Sequence, residues 1–311
     1  MEPVDASPDG AVLRLAYRPP YDWPAMLSFL RERAVEGVEH VEGEVYRRTV
    51  REDGRSGAVE IAHHAGEECL HATIRLPGPL GLAAVTARIR RVFDLDADIA
   101  AIGVHLARDP FLAPLVAARP GLRAPGGWDG FELAVRAVLG QQVTIAAARR
   151  LAGQLVRLCG TALPDGGRMH PALGHAFPTA AQVAAADLAP LGMPGARKAA
   201  LKAIAEAALA DPTLFQPQAS IEETVARLRA VRGVGEWTAQ YIALRAVRES
   251  DAFPASDIGL LRGAATNGTR PSPAELIGRA EPWRPWRAYA AQHLWAADAA
   301  ATSSVRRAPD G

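Results

Sequence analysis

The segment Leu228-Arg-Ala-Val-Arg-Gly-Val-Gly-Glu-Trp-Thr-Ala-Gln-Tyr-Ile242 admits few conformations, and Asp257 follows its second glycine by 22 residues. Upstream, Ser220 and Glu223 have the spacing of a capping box, and Ile221, Val225 and Leu228 lie close to one helical face. A first helix is therefore expected over about 221–231. Gly233 and Gly235 accept backbone angles that a residue with a Cβ resists, so the chain can reverse within a few residues and start a second helix near Glu236. That start leaves several N–H groups unpaired at the positive end of the helix dipole, which suits a phosphate. Taken alone, Gly-x-Gly before a helix is also an ordinary helix-to-helix turn.

Composition bounds what such a hairpin can belong to. A chain of 311 residues with 49% hydrophobic content buries a large core and normally holds two or more domains. No apolar run approaches membrane-spanning length, and Glu2, Asp5 and Asp9 stand where a signal peptide would need positive charge, so a cytoplasmic protein is expected. Cys69 and Cys159 are far apart and form no Cys-x-x-Cys pair. A disulfide framework, a zinc ribbon and an iron–sulfur cluster are all unsupported by that count. The net charge of +1 argues neither for nor against nucleic acid. Binding to DNA would need a local basic face and backbone amides.

Along the chain, residues 1–10 are acidic, contain Pro and Gly, and are expected to be unstructured. Alternating patterns predict strands over 12–17, 44–50, 58–63 and 69–76, with a helix over 23–34. His63, His64, Glu67, Glu68, Cys69 and His71 form the one metal-like cluster; neighbouring strand residues face opposite ways, so His63 and His64 cannot share an ion, and a polar turn is expected. From about Leu82 the pattern is helical. Phe131, Ala134, Val135, Val138 and Leu139 have core-facing spacing, Gly140-Gln-Gln142 interrupts, and 143–158 forms the next helix. An exposed loop is expected over 160–177, helices over 180–191 and 198–210, and a frayed tail over 303–311. Trp237 and Tyr241 lie one helical turn apart. On the last helix Trp286, Tyr289, Ala290 and His293 form a stripe, and Trp295 falls on the opposite side, where something else must cover it. Asp257 opens a helix, where an Asp is ordinarily an N-cap; a carboxylate at the mouth of a cleft could also stabilise a developing cation or orient water.

Taken together, Tyr17-Arg-Pro-Pro-Tyr-Asp-Trp23, Arg91-Val-Phe-Asp-Leu95, Phe131 through Gln142, the hairpin with Asp257, and Trp283-Arg-Pro-Trp286 through Trp295 resemble the helix-hairpin-helix DNA glycosylases. Within them the chain is most similar to the bacterial 3-methyladenine DNA glycosylase II (AlkA-type) group, from Leu13 to about Thr302. The resemblance implies a mainly α fold with an N-terminal α+β domain (11–90), a lobe carrying the helix-hairpin-helix (126–250), and a second lobe (91–125 with 251–305), a cleft lying between the lobes. It places the N-terminal domain away from the active site. Asp257 matches the catalytic Asp and Asp251 does not; Trp237, Tyr241 and Trp295 match aromatics that stack a flipped-out base, where an electron-rich pocket favours a cationic alkylated base. Gln142 matches the residue wedged into the duplex, though some members have an apolar residue there. Gly233, Val234, Gly235 and Thr238 match the DNA-contacting turn, and the carbonyls of Arg229, Val231 and Val234 match those holding a monovalent cation.

The implied activity is hydrolysis of the N-glycosidic bond of alkylated bases, such as 3-methyladenine and 7-methylguanine, in double-stranded DNA, by a monomer that needs no cofactor. Relatives that also cut the strand carry Lys where this chain has Trp237, which implies a monofunctional enzyme. The alternative is a noncatalytic DNA-binding or damage-sensing protein.

Overall fold

The computed structural model describes residues 5–7, 10–52, 54–76, 81–163 and 169–307. The alternating segments form a wholly antiparallel sheet of β1 (Asp5–Ser7), β2 (Gly10–Ala16), β3 (Glu39–Glu42), β4 (Val45–Glu52), β5 (Arg55–His64) and β6 (Cys69–Arg75). Their spatial order is β1-β2-β6-β5-β4-β3. Register pairs Leu13 with Ala72, Leu15 with Leu70, and Val59 with Ile74, which puts these side chains on one buried face. Helix α1 (Trp23–Arg33) covers that face with Trp23, Met26, Leu27 and Leu30, and α2 (Leu82–Val92) adds Val85, Ile89 and Val92 to the same core. Asp22 fixes where α1 starts, its Oδ1 accepting the Ala25 N–H at 3.0 Å.

Eleven further helices follow among the described residues: α3 (Ile99–Leu106), α4 (Ala113–Ala118), α5 (Gly130–Leu139), α6 (Ile145–Cys159), α7 (Ala180–Ala185), α8 (Gly195–Ala210), α9 (Ile221–Arg229), α10 (Glu236–Ile242), α11 (Ile258–Gly263), α12 (Pro273–Ala280) and α13 (Arg287–Arg307). They share a second core, centred on α5, whose Phe131, Ala134, Val135, Val138 and Leu139 are all buried. Between the sheet and α5 lies a buried charged cluster. The Arg48 Nη2 reaches Glu132 at 2.7 Å, Arg136 bridges Glu132 and Glu39, and the Tyr46 hydroxyl donates to Glu39 at 2.7 Å. Among the described residues, no helix is long and apolar enough to cross a membrane.

Several expectations are corrected. Asp5–Ser7 is a strand paired to β2 and not part of an unstructured leader; three small or charged edge residues carry no alternation to reveal it. Residues 1–4, 8 and 9 lie outside the described residues. Strand β3 is hidden by its charge, since Glu39 is buried only because Arg136 and Tyr46 meet it. The supposed loop over 160–177 pairs Thr161–Ala162 with His175–Ala176, and buries Leu163, Leu173 and Ala176; residues 164–168 lie outside the described residues. Helix α7 stops at Ala185, because Ala186 turns extended (ψ 143°) and the Lys202 ammonium takes the Ala184 carbonyl at 2.7 Å. The backbone of α13 continues helical to Arg307, where fraying from Ser303 was expected; residues 308–311 lie outside the described residues.

Candidate active site

Helices α9 and α10 are the two arms of the hairpin read from the sequence. Ser220 Oγ accepts the Glu223 N–H at 3.2 Å, the first half of a capping box; full boxes form instead at Thr179/Gln182 and Ser272/Glu275. The two glycines play different parts. Gly233 has φ +86°, and a Cβ there would lie 2.4 Å from the Ala200 Cβ. Gly235 has φ −84° with nothing within 4 Å of a Cβ, so it is not forced by the backbone, contrary to expectation; its bareness leaves open space at the N-terminus of α10. Val234 and Thr238, matched by the resemblance to the DNA-contacting turn, are both buried, at 5% and 2% exposure. Thr238 Oγ1 accepts from the Gln141 amide at 3.0 Å, and that amide also donates to the Gly233 carbonyl at 3.0 Å. The loop carrying Gln142 is thereby tied to the hairpin. Gln142 itself is exposed, with φ +56°, and stands at the mouth of the cleft beside the exposed Val143 and Ile145.

Asp257 is the N-cap of α11 and also lines the cleft. Its Oδ1 accepts the N–H groups of Gly259 at 2.9 Å and Leu260 at 3.1 Å, and the Trp295 indole N–H at 2.9 Å. Its Oδ2 accepts the Trp237 indole N–H at 2.8 Å. A carboxylate oxygen has two lone pairs, so Oδ2 keeps one free on the cleft side. Gly259, which the sequence reading passed over, makes this close approach possible, because a Cβ there would lie 3.0 Å from both Asp257 Oδ1 and the Trp295 ring. Asp251 is spent elsewhere: Arg287 holds both of its oxygens at 2.7 and 2.9 Å.

The cleft has a volume of about 1570 Å³ and is lined from the helical region and the sheet domain alike. Trp237 stacks on Tyr241 (centroids 5.3 Å apart, 14° between planes), and Tyr241 meets Trp295 edge-on at 6.5 Å. The three aromatics singled out from sequence thus form one wall. Trp295 faces the cleft together with Gln292, Ala296 and Ala299, a stripe at helical spacing, which accounts for its standing opposite the Trp286 stripe. Phe29 of α1 closes the wall, so the N-terminal domain is not remote from the site as the resemblance implied.

Arg245 was missed, although a lone Arg inside Ile242-Ala-Leu-Arg-Ala-Val247 was a visible signal. It lies in a single π-type turn, Ala243–Val247, that continues α10, and is 2% exposed. Its guanidinium sits 4.6 Å from the Phe29 ring centroid, 5.2 Å from Trp295 and 5.6 Å from Tyr241. Burial pulls it down to about 10, which leaves it protonated at neutral pH. Phe29, Trp295 and Tyr241 on the cleft lining therefore already lie against a protein cation. At the rim, Arg149 and Arg197 line the cleft, and neither has an acidic partner among the described residues.

Two other sequence features have a place. The Val231 carbonyl, one of the three matched to a cation site, already accepts the Val234 N–H at 3.0 Å. In the polar turn, His64, Glu67 and His71 bring donor atoms within 4.8 Å of one another, although His63 turns away to bond the Tyr17 hydroxyl at 2.8 Å. Glu67 is paired with Arg14 at 2.8 Å and His71 at 3.2 Å, so its charge is already met.

Residues 12–129 match the AlkA N-terminal domain family. The chain is 37% identical over 284 residues to DNA-3-methyladenine glycosylase 2 of Escherichia coli, covering 90% of this chain and 95% of that one. It is 39% identical over 295 residues to the probable bifunctional transcriptional activator/DNA repair enzyme AlkA of Mycobacterium tuberculosis, covering 94% of this chain but 58% of that longer protein. Its fold is similar to the 3-methyladenine DNA glycosylase of Archaeoglobus fulgidus (TM-score 0.77, 21% identity, covering 93% of this chain and 98% of that one). It is also similar to the 8-oxoguanine glycosylase/lyase of Clostridium acetobutylicum, in complex with double-stranded DNA (TM-score 0.67, 17% identity, covering 96% and 97%). At the identity shared with the Escherichia coli protein, over nearly its whole length, the chain belongs to the AlkA-type DNA-3-methyladenine glycosylase family.

Proposed function

We propose that this chain is a monofunctional DNA glycosylase that flips an alkylated base out of duplex DNA and hydrolyses its N-glycosidic bond. The observation that carries this reading is the Asp257 carboxylate, held by four donors at the edge of an aromatic wall with one lone pair of Oδ2 free. As the bond between C1′ and the base nitrogen lengthens, positive charge develops on the sugar. A fixed carboxylate beside the sugar stabilises that charge more than the charge it leaves on the more distant base, and only this difference lowers the barrier. The same oxygen can orient the water that adds to C1′. An alkylated purine that is already cationic leaves as a neutral molecule, so no general acid is needed.

The rest of the site divides the work of binding. The open N-terminus of α10 at Gly235 and the arginines at the rim suit phosphate, in a sequence-independent way. Gln142, on its left-handed turn at the mouth, is the candidate for filling the gap left by the flipped nucleotide. Trp237, Tyr241, Trp295 and Phe29 form the wall for the base. A monovalent cation on the carbonyls of Arg229, Val231 and Val234 would strengthen the phosphate contact, and no chemical step depends on it.

The test is release of free base from methylated duplex DNA, followed by chromatography. Accumulation of free alkylated base with an intact abasic strand is expected. Tight binding to methylated DNA with no base released above the spontaneous rate would leave only a damage-binding protein.

A further inference from the structure

The cleft lining includes a polar pair that the proposed chemistry does not use. Arg245 and Gln292 both line the cleft, at 2% and 7% exposure. Arg245 Nη1 donates to the Pro125 carbonyl at 2.7 Å, and Nη2 donates to Gln292 Oε1 at 3.4 Å. No carboxylate pairs with the guanidinium among the described residues. Because Oε1 faces Arg245, the amide nitrogen of Gln292 points the other way, and it has no hydrogen-bond partner. Buried donors are almost always bonded, so an orphaned amide on the lining of a cleft calls for an acceptor that arrives with the ligand. Gln292 stands one helical turn before Trp295 on the same stripe of α13, beneath the indole against which a base would lie.

We propose that Gln292 Nε2, aligned by Arg245, donates a hydrogen bond to the edge of the flipped base and favours purines with an oxygen at position 6 over those with an amino group there. The proposal rests on the glycosylase reading. In 7-methylguanine, O6 presents two lone pairs to the amide. In 3-methyladenine, the 6-amino hydrogens would meet another donor. Both lesions are cations within DNA, so charge does not separate them; Arg245 repels both alike, and only hydrogen-bond polarity at the floor tells them apart. A site whose donor is left unpaired by the wrong ligand discriminates more strongly than an apolar wall can.

The experiment uses duplex DNA treated with dimethyl sulfate, which carries both lesions, and reads the initial rates of 7-methylguanine and 3-methyladenine release from one reaction after subtracting spontaneous loss. Because both bases come from the same tube, the ratio of rates is independent of how much protein is folded and of its affinity for DNA. Gln292→Leu removes the donor, and should lower the 7-methylguanine to 3-methyladenine ratio roughly three- to tenfold, the worth of one hydrogen bond. Gln292→Glu, which can pair with Arg245, presents acceptors only and should lower the ratio at least as far. A ratio unchanged in both variants overturns the proposal, even if both rates fall. Release of neither base by the unaltered protein would instead defeat the glycosylase reading itself.

Discussion

The Trp237 indole N–H donates to Asp257 Oδ2 at 2.8 Å, which joins the second arm of the hairpin directly to the N-cap of α11. Where a strand-cutting relative would carry an amine, this chain has a donor that holds the carboxylate. Borohydride added during turnover should therefore trap no covalent protein–DNA adduct, and efficient trapping would contradict the monofunctional reading. Trp237→Phe keeps a ring against Tyr241 and loses the donor; about a tenfold drop in base release is expected, with binding to undamaged duplex unchanged.

Trp295 combines two roles that substitution can separate. Its ring forms the wall, and its N–H holds Asp257 Oδ1 at 2.9 Å. Trp295→Phe should lose only the hydrogen bond. Trp295→Ala should also lose base stacking, for a total cost of roughly 1–3 kcal/mol or more in kcat/KM. Circular dichroism must be unchanged in both. Equal losses for Phe and Ala would mean that the ring does not touch the base.

The two hairpin glycines should answer differently. Gly233→Ala forces a left-handed residue and a 2.4 Å approach to Ala200, so a stability loss of at least about 1–2 kcal/mol is expected in denaturant unfolding. At Gly235 a Cβ meets nothing within 4 Å, so Gly235→Val should unfold within about 1 kcal/mol of the parent, while its side chain fills the space where phosphate would approach. Affinity for duplex DNA should fall similarly for all sequences. Unaltered affinity in Gly235→Val would remove the turn from the DNA-binding surface.

These contrasts mark what the sequence made legible. Periodicity placed α5, α9 and four of the six strands, because each buries one regularly spaced face, and the glycine turn placed the start of α10. Strand β3 stayed hidden because Glu39 is buried against Tyr46 on the neighbouring strand and Arg136, 97 residues away, pairings that the period of its own segment does not announce. The same reason hid Phe29, Arg245 and Gln292 from the site: they meet only once α1, α10 and α13 converge on one cleft. Asp257, Trp237, Tyr241 and Trp295 could be singled out because the glycines, aromatics and carboxylate stand at family spacing. Spacing did not reveal that a guanidinium lies within 6 Å of the Tyr241 and Trp295 ring centroids.

The buried cluster under the sheet gives the protein an acid limit. Burial alone would raise the Glu39 carboxyl, but Arg136 and Arg48 outweigh it and hold Glu39 below its usual value. A lowered carboxyl contributes stability above the unfolded-state value, and that contribution is lost as pH falls through the folded one. Unfolding stability should thus decline below pH about 4.3. Glu39→Gln would leave Arg48 and Arg136 with Glu132 alone, at a cost of about 3–5 kcal/mol at neutral pH, and should flatten the acid dependence. A small loss with unchanged acid dependence would show that Glu39 is not the titrating group.

Asp257→Asn separates capping from chemistry. The Asn carbonyl oxygen can take the place of Oδ1, accepting from Gly259, Leu260 and Trp295, and Asn is about as good an N-cap as Asp, so folding should survive. The amide NH₂ replaces Oδ2, where it meets the Trp237 N–H, donor against donor, and presents no negative charge to the sugar. Groups that act on charge developing in the transition state are worth roughly 10²–10³ in rate. The expected protein melts near the parent, binds methylated duplex about as well, and releases alkylated base at least a hundredfold more slowly. Near-normal turnover would end the catalytic assignment of Asp257, and Asp251 could not inherit it, since Arg287 engages both of its oxygens away from this lone pair. Should Asp257→Asn melt well below the parent, Trp237→Phe/Asp257→Asn removes the opposed donor, and its rate relative to Trp237→Phe then measures the charge alone.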